Sequence, residues 1–406
     1  MNKTKSPMTR RSFISAAAAG MVGTGLAGMV PGARAGEKSG RKAGEDRIIE
    51  RALGKTGLKM PIVGMGVMNA NNPEVVRASW DIGVRHFDTA AAYQKGNNER
   101  MVGKVIRELG VRDRAIVGTK IYTPSSRRGD THEDTRRKML AQIDESLERL
   151  QMEYVDILYV HNLEGRDLVE NEAVLETLEK IKKSGKARFT GVTTHRNMTE
   201  VVEAATDSKF FDVVLTVINF KLADDEKLLR AIDRAAAAGV GVIAMKTQAG
   251  GRHVPLPSGV EDYSSSVVNT ASLKWVLRKE SITAAIPGYT TFEHMKEDFS
   301  VAYGLEYDEN ERCLLDQCEV DVGYGYCNQC DLCRADCPAG ADVATLMRIH
   351  MYAAQYSNFD RARHTLDELP EGAGLDACRG CGECTVRCHR SVDVARRIDE
   401  LRLIYA

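Results

Sequence analysis

The run Val155-Asp156-Ile157-Leu158-Tyr159-Val160 (VDILYV) is short, apolar and rich in β-branched residues, and His161 follows it directly. Runs of this length and composition are typical of buried β-strands. Seven similar runs lie along the chain: 62–65 (IVGM), 85–88 (RHFD), 115–118 (AIVG), 189–192 (FTGV), 213–217 (VVLTV), 241–245 (GVIAM) and 283–286 (TAAI). The sequence therefore predicts eight strands.

Helical patterns separate these runs. Apolar residues at i, i+3, i+4 and i+7 recur in 139–150, 175–181 and 228–238. Strands that alternate with helices indicate parallel βαβ units, and eight such units predict an α/β fold of the (β/α)8 TIM-barrel type. A doubly wound open sheet is the alternative, and the count of eight favours the barrel. The segment 51–61 (RALGKTGLKMP) predicts a β-hairpin ahead of the first barrel strand.

The chain has 406 residues and a formal net charge of −1. This length allows more than one domain, and the charge gives no reason to expect a nucleic-acid partner. The pattern changes after Tyr307, where 308–319 looks helical and Gly323 and Gly325 follow. We place a domain boundary near Asp321, with the barrel at 47–321 and a second domain at 322–406.

The first 35 residues are predicted to be a targeting segment. A basic start precedes an apolar stretch at 14–30 and an A-x-A cleavage site at 33–35. TRRSFI at 9–14 resembles the twin-arginine export signal, whose machinery moves folded proteins. A general secretory signal or an uncleaved anchor is the alternative. We expect a linker at 36–46 and a periplasmic protein, or a membrane-tethered one if the signal is not cleaved.

Four polar residues fall at or just after consecutive predicted strands: Asp88, Tyr93, Lys120 and His161. Barrel enzymes draw their catalytic groups from this rim. A tyrosine hydroxyl titrates near ~10, which a neighbouring ammonium lowers, while an aspartate holds that ammonium in place. A histidine can orient a substrate oxygen. The set is suited to protonating a carbonyl oxygen as hydride reaches its carbon.

The surrounding sequence resembles the aldo-keto reductase family over roughly residues 47–305. The resemblance rests on GVRHFDTAAAYQKGNNERMVGKVI (83–106), IVGTK (116–120) and VDILYVHN (155–162). It implies that Asp88, Tyr93, Lys120 and His161 are the catalytic tetrad of an oxidoreductase. The implied partner is a small carbonyl or alcohol substrate.

The same resemblance implies a bound NADP(H) or NAD(H). Gly288 and His294 replace the Lys and Arg that typically bind the 2′-phosphate, so NADP(H) is implied by the family rather than by these residues. The segment 246–263 is either a substrate loop or a surface connection, and His86, His195 and His253 are expected to be structural or solvated. The implied contacts are Asn162, Thr193, Thr194, Met245, Lys246, Pro287, Gly288, Thr291, His294, Glu297 and Asp298.

Two cysteine repeats lie near the C-terminus, and both follow C-x2-C-x2-C-x3-C. This spacing indicates [4Fe–4S] clusters, with the fourth cysteine of each repeat ligating the other cluster. Structural zinc and disulfides are the alternatives, and the spacing argues against both. Cys313 and Cys318 fall outside the repeats and are expected to be packed thiols. The predicted ligand sets are Cys327, Cys330, Cys333 with Cys388, and Cys378, Cys381, Cys384 with Cys337.

These features together resemble the iron–sulfur branch of the aldo-keto reductase family, with a helical ferredoxin-like domain after the barrel. The clusters would exchange electrons with a redox partner protein or a quinone, or they would be structural. The rival hypothesis is an exported electron-transfer or assembly protein whose barrel does not catalyse. Leu215, Met245 and Gly288 favour the rival, and the complete tetrad favours the enzyme.

Overall fold

The computed structural model describes residues 47–123, 130–249, 265–321 and 326–405, and the side chains of 265 and 317–321 are not among the described parts. The expected signal at 1–35 and linker at 36–46 lie outside these ranges. The strands are β1 (Glu50–Ala52), β2 (Lys59–Pro61), β3 (Met65–Gly66), β4 (His86–Asp88), β5 (Ile116–Ile121), β6 (Val155–Val160), β7 (Ala187–Thr194), β8 (Val213–Val217), β9 (Gly241–Met245) and β10 (Ala284–Ala285).

Strands β3 to β10 form one parallel sheet in sequence order. Val63 bridges Ala285 in the parallel sense, so the first and last strands meet and the sheet closes. The Gly64 amide donates to the Ala285 carbonyl at 2.8 Å, and the Ala285 amide donates to the Ile62 carbonyl at 2.8 Å. An open doubly wound sheet would leave β3 and β10 as edges, so the predicted barrel is confirmed.

The barrel strands are buried on both faces, as all six residues of β5 and of β6 show. This explains why they appear in the sequence as continuous apolar runs rather than alternating ones. The helices that cover the sheet, and those that follow it, are α1 (Pro73–Ile82), α2 (Asn97–Leu109), α3 (His132–Leu150), α4 (Arg166–Val169), α5 (Glu172–Lys183), α6 (Met198–Asp207), α7 (Glu226–Ala237), α8 (Ser265–Leu277), α9 (Phe292–Ser300), α10 (Glu309–Asp321), α11 (Val343–His350), α12 (Phe359–Asp367) and α13 (Val394–Tyr405).

Helix α3 begins seven residues before the apolar pattern that predicted it. Thr131 accepts a hydrogen bond from the Asp134 amide at 3.1 Å, and the Asp134 carboxylate accepts from the Thr131 amide at 3.2 Å. This capping box starts the helix at its polar first turn. Apolar periodicity marks only the buried stripe of a helix, so it misses such a turn.

The hairpin of β1 and β2 closes the end of the barrel at which the strands begin. Its turn contains Gly54 at φ +50°, and a Cβ there would lie 2.4 Å from the Gly239 carbonyl oxygen. The Lys55 amide donates to that same oxygen at 2.8 Å. A residue without a side chain is therefore required at the point where the hairpin meets the chain before β9.

The C-terminal segment covers the opposite end, where the strands finish. Arg196, just after β7, forms a two-pronged ion pair with Asp342 at 2.7 and 3.0 Å. Asn358 donates to Asn69 at 2.7 Å, also across this junction. Helix α11 continues into a π-helical turn, Met351–Gln355, which reaches the mouth of the barrel. The described residues lie in one compact unit.

Candidate active site

The four predicted catalytic side chains meet at the rim where the strands end. Asp88 is the last residue of β4, Lys120 lies in β5, and His161 follows β6. The Lys120 ammonium donates to the Asp88 carboxylate and, at 2.7 Å, to the Thr89 carbonyl. Lys120 and Asp88 are 1% and 2% exposed, so this is a fully buried ion pair.

Tyr93 opens a 3₁₀ turn, Tyr93–Gly96, in the loop after β4. The Lys120 ammonium lies 4.8 Å from the centre of the tyrosine ring and interacts with its hydroxyl. Burial raises the pKa of Tyr93 and Asp88 adds to this, whereas Lys120 lowers it, and the net pKa is above its ordinary value. The expected lowering by Lys120 is present but outweighed. The phenol is therefore protonated at neutral pH.

His161 completes the group, with its ring centre 6.2 Å from that of Tyr93. Burial holds the pKa of His161 well below its ordinary value, and the positive charges of Arg361 and Lys120 reinforce this. Its Nδ1 is buried and has no hydrogen-bond partner among the described residues. A neutral imidazole in this position can hydrogen-bond a substrate oxygen.

Three of these side chains line a cavity of about 850 Å³, a volume that includes the solvent at its mouth. Asp88, Tyr93 and His161 form part of its wall, and barrel residues after β9 and β10 form another part. The C-terminal segment supplies the remaining wall through Tyr352, Tyr356 and Arg361. The cavity is therefore built jointly by the barrel and the segment that follows it.

Four of the implied nucleotide contacts, Met245, Lys246, Pro287 and Gly288, line this cavity. Asn162 lies nearby, but its side-chain oxygen is 2.9 Å from His195 Nδ1 and accepts from Arg348 at 3.3 Å.

The other implied contacts also make hydrogen bonds within the protein. Thr193 accepts from the Asn162 amide at 2.8 Å, and Thr194 donates to the Arg196 carbonyl at 2.6 Å. On and before α9, Thr291 accepts from the His294 amide at 3.2 Å. Glu297 accepts from Asn269 at 3.0 Å, and Asp298 from Gln248 at 2.7 Å.

The eight repeat cysteines gather crosswise. Burial raises the pKa of Cys333 to about 11, and Cys327, Cys388 and Cys330 raise it as close neighbours. Burial also raises the pKa of Cys378, and its neighbours Cys337, Cys381 and Cys384 raise it further. A cavity of about 370 Å³ is lined by Cys337, Cys378, Cys381 and Cys384.

Each group thus brings together three thiols of one repeat and the fourth thiol of the other, which is the donor set that a [4Fe–4S] cluster requires. The described repeat cysteines are all free thiols. Among the described residues, no three Cys, His, Asp or Glu side chains are arranged to hold a single metal ion.

The cysteine group that contains Cys327 lies next to the active-site cavity. A smaller cavity of about 340 Å³ is lined by Cys327, His195, Lys246 and Arg348, among others. His195 and Lys246 also line the active-site cavity. The two cavities therefore share part of their walls.

Comparison with known proteins agrees with this geometry. Residues 64–254 match the model of the aldo/keto reductase family, and residues 326–392 match that of the 4Fe–4S dicluster domain. The chain carries an aldo/keto reductase domain and a dicluster domain. It is an aldo-keto reductase-type oxidoreductase.

Curated relatives of the reductase domain include L-galactose dehydrogenase of Arabidopsis thaliana, which is 29% identical over 289 residues. That match covers 63% of this chain and 88% of the relative. L-glyceraldehyde 3-phosphate reductase of Escherichia coli K12 is 24% identical, with 66% and 91% covered.

Solved structures of aldo-keto reductases share the fold of the reductase domain. One is the enzyme of Klebsiella pneumoniae in complex with NADP and acetate, with a TM-score of 0.51, 24% identity and coverage of 65% of this chain and 93% of that one. Another is the holo form from Bacillus halodurans, with a TM-score of 0.53, 19% identity and coverage of 67% and 96%. In the described parts of the dicluster and reductase domains, no helix is long and apolar enough to cross a membrane.

His195, expected to be structural or solvated, is buried and bonds Asn162, and it also lines the cavity. One expectation about a single residue was wrong. Cys313 was expected to be packed, but it is exposed on α10. Residues 246–248 of the proposed substrate loop also line the cavity, whereas 250–264, His253 among them, and the Cys318 side chain lie outside the described residues.

The sequence also failed to indicate Tyr352, Tyr356 and Arg361 as residues of the cavity wall, or Arg348 as a residue beside it. They belong to the dicluster domain, whose helices carry no motif that points to the reductase domain. Arg361 is buried beside Ala362 and Thr365 on α12, a position that the sequence alone did not reveal.

Proposed function

We propose that this protein is an exported oxidoreductase that interconverts a small carbonyl compound and its alcohol, with Tyr93 as general acid and base. The arrangement of Tyr93, Lys120 and Asp88 carries this proposal. A phenol that is protonated at neutral pH lies against a buried ammonium, and a buried carboxylate holds that ammonium in place.

In the reducing direction, the carbonyl carbon gains a hydride while its oxygen gains the Tyr93 proton. One C–H bond and one O–H bond form, the C=O π bond breaks, and the phenolate that remains is stabilised by Lys120. His161 Nδ1 or Nε2, on a neutral ring, orients the oxygen before transfer. Asp88 fixes Lys120 so that its charge lies where the phenolate develops.

A nicotinamide dinucleotide bound along Met245, Lys246, Pro287 and Gly288 would supply the hydride. The mixed apolar and polar wall of the cavity suits such a group. Because the Asn162 oxygen is already engaged, Asn162 would bind the carboxamide only after releasing Arg348 or His195. We propose NADP(H) from the family, although Gly288 offers no charge for a 2′-phosphate.

We also propose that the dicluster domain holds two [4Fe–4S] clusters on the two crosswise cysteine groups. The clusters carry single electrons when they are bound. The group that contains Cys327 lies beside the active-site cavity, which supports electron exchange with that cavity and, through the second group, with a redox partner protein or a quinone. A purely structural role for the clusters is the alternative.

The twin-arginine motif at 9–14 supports export of the folded and loaded protein by the twin-arginine machinery. Fractionation of cells would locate the protein in the periplasm, or in the membrane fraction if the signal is retained. Recovery from the cytoplasm alone would contradict this.

The engaged oxygen of Asn162 favours one rival: an electron-transfer or assembly protein with a non-catalytic barrel. The variant Tyr93→Phe separates the two hypotheses because it removes only the transferable proton. We expect it to lower carbonyl reduction by about 10²–10⁴-fold while the visible absorbance of the clusters is unchanged.

The assay is anaerobic turnover with NADPH over a panel of small aldehydes and ketones, with cluster absorbance recorded in the same cuvette. Bleaching of the clusters by NADPH would support electron exchange with the cavity. If every activity of the protein survives Tyr93→Phe unchanged, the reductase proposal is wrong.

A further inference from the structure

The active-site cavity has an unusually cationic wall, and much of that wall comes from the dicluster domain. Lys246 and Arg361 line the cavity, and Arg348 lies just beyond it. The carboxylate nearest the catalytic group, Asp88, is already paired with Lys120. The positive charge of the wall therefore exceeds the negative charge that faces it.

Arg361 is 8% exposed, and its Nε is buried without a hydrogen-bond partner among the described residues. Its Nη1 donates to the Tyr122 hydroxyl at 3.3 Å and lies 3.4 Å from His364 Nδ1. Its one carboxylate neighbour, Glu368, lies 3.9 Å away, which is long for a charge-assisted bond. The guanidinium also bonds the Tyr352 side chain, and its Nε remains without an acceptor among the described residues.

Lys246 has no carboxylate within ion-pair distance among the described residues. Its ammonium lies over two rings of the dicluster domain instead, 4.6 Å from the centre of Tyr352 and 4.8 Å from that of Tyr356. Burial lowers the pKa of Lys246, the Tyr352 hydroxyl opposes this, and the nearby Arg361 and Arg348 add to the lowering. A buried cation without a counter-ion is costly, and an anionic ligand would offset that cost.

These cations lie close to the reacting groups. Arg361 bonds the hydroxyl of Tyr122, and the Tyr122 ring centre is 4.7 Å from that of His161. One side chain therefore separates the guanidinium from the histidine that faces the substrate oxygen. A ligand that contacts both Arg361 and His161 must therefore carry its negative charge within a few bonds of its carbonyl group.

We infer that the substrate of this site is a small anion, whose carbonyl lies at Tyr93 and His161 and whose carboxylate is bound by Arg361, with the charge of Lys246 adding to the attraction. A 2-oxo acid and its 2-hydroxy acid have this form. The guanidinium is suited to the task because its planar donors match a carboxylate. The inference rests on the proposed function for the identity of the reacting carbonyl, but the anion site itself can be tested separately.

The test compares pyruvate with methyl pyruvate, which keeps the carbonyl and removes the charge. Anaerobic turnover with NADPH is measured for the full chain with its clusters and for three variants: Arg361→Gln, Arg361→Lys and Arg363→Gln. Arg363 is exposed on the same helix and serves as the matched control. We expect Arg361→Gln to lower kcat/KM for pyruvate by about 10- to 100-fold, with little effect on the ester. Arg361→Lys should retain part of the preference for pyruvate over methyl pyruvate, and Arg363→Gln should retain all of it.

Calorimetric binding of oxamate, an unreactive analogue of pyruvate, separates this inference from the proposed reaction. Oxamate binding that Arg361→Gln weakens, without turnover of either substrate, would support the anion site and count against the reductase. Equal turnover of acid and ester by the unaltered protein would overturn the inference. It is also overturned if Arg361→Gln lowers kcat/KM for pyruvate and methyl pyruvate alike, because Arg361 would then serve the fold. The same holds if Arg361→Gln weakens NADPH binding and leaves oxamate binding intact, because the cations would then serve the cofactor phosphates. Failure of oxamate and pyruvate to bind would overturn it too.

Discussion

Replacing Arg196 with Met should loosen the dicluster domain from the reductase domain. The Arg196 guanidinium is 6% exposed and pairs with Asp342 at 2.7 Å and Asp331 at 2.6 Å, both in the dicluster domain. Glu164 adds a third carboxylate at 3.5 Å. Although burial lowers the pKa of Arg196, its bonds to Asp342 and Asp331 raise it above its ordinary value. Methionine keeps an unbranched apolar stem and removes the guanidinium with all of these bonds.

The expected cost follows from what the substitution leaves behind. Asp342 and Asp331 are 15% and 21% exposed, so removing Arg196 leaves two largely buried carboxylates. Asp342 loses its nearest cation, and Asp331 keeps only a contact of 3.5 Å with Arg334. Breaking such a pair costs about 3–5 kcal/mol. Asp342 would still accept from the Thr345 amide at 3.1 Å and so would still cap α11. The lost stability therefore concerns the junction between the two domains rather than helix α11.

The assay is an anaerobic urea titration with two probes. The chain has two tryptophans, Trp80 and Trp275, and both lie in barrel helices, so their fluorescence reports the reductase domain. The visible absorbance of the clusters reports the dicluster domain. In Arg196→Met we expect the cluster signal to be lost at a midpoint lower by about 1 M or more and to separate from the fluorescence.

The matched control is Arg166→Met, which breaks ion pairs with Glu170 at 2.6 Å and Asp207 at 3.0 Å on the barrel surface. Arg166 is 39% exposed, so this change should cost at most about 1 kcal/mol. If Arg196→Met costs no more than Arg166→Met, and its two probes still move together, then Arg196 does not join the domains as argued.

Two further predictions concern the reductase domain. Burial, with a contribution from Lys120, lowers the pKa of His86 to about 3. Because the unfolded chain binds a proton near pH ~6.5 and the native one does not, the free energy of unfolding should fall as pH drops below that value, by up to about 1.4 kcal/mol per pH unit. His86→Leu should flatten this slope in urea titrations between about pH 7 and pH 5, and an unchanged slope would contradict the assignment. Separately, a Cβ on Gly103 of α2 would lie 1.9 Å from the Leu150 carbonyl oxygen. Gly103→Ala should therefore cost about 1–3 kcal/mol in thermal unfolding, against about 0.5 kcal/mol or less for the exposed Lys104→Ala on the same helix. Equal melting temperatures for the two variants would show that α2 and α3 can separate freely.

The barrel could be predicted from the sequence because its signals are local. Each strand is one apolar run, and the rule that catalytic groups lie at strand ends then places Asp88, Lys120 and His161 on one rim. Side-chain packing was less predictable. The sequence shows that Lys120 stands near Tyr93, but not that burial outweighs its effect on the Tyr93 pKa.

The cationic wall could not be predicted, because it depends on contacts between distant parts of the chain. Arg361 lies in a helix between the two cysteine repeats, where an isolated arginine is most simply explained as a surface residue. Nothing local indicates that α12 packs over Tyr122. The boundary near Asp321 stays a prediction: α10 ends there and packs on the barrel through a Lys274–Glu311 ion pair of 2.7 Å, before the dicluster match begins at 326.

The path of the chain through the dicluster domain links cluster binding to the shape of the active site. Cys337 closes the first repeat, and Asp342 then caps α11 while it pairs with Arg196 of the barrel. The same helix carries Arg348 to Asn162 and continues to Tyr352 in the cavity wall. The segment that leaves one cluster ligand thus ends against the substrate site within fifteen residues. Because the first cysteine repeat anchors this segment, the cavity is complete only when the dicluster domain is folded around its thiols. The two domains therefore build the active-site cavity together, and neither encloses it alone.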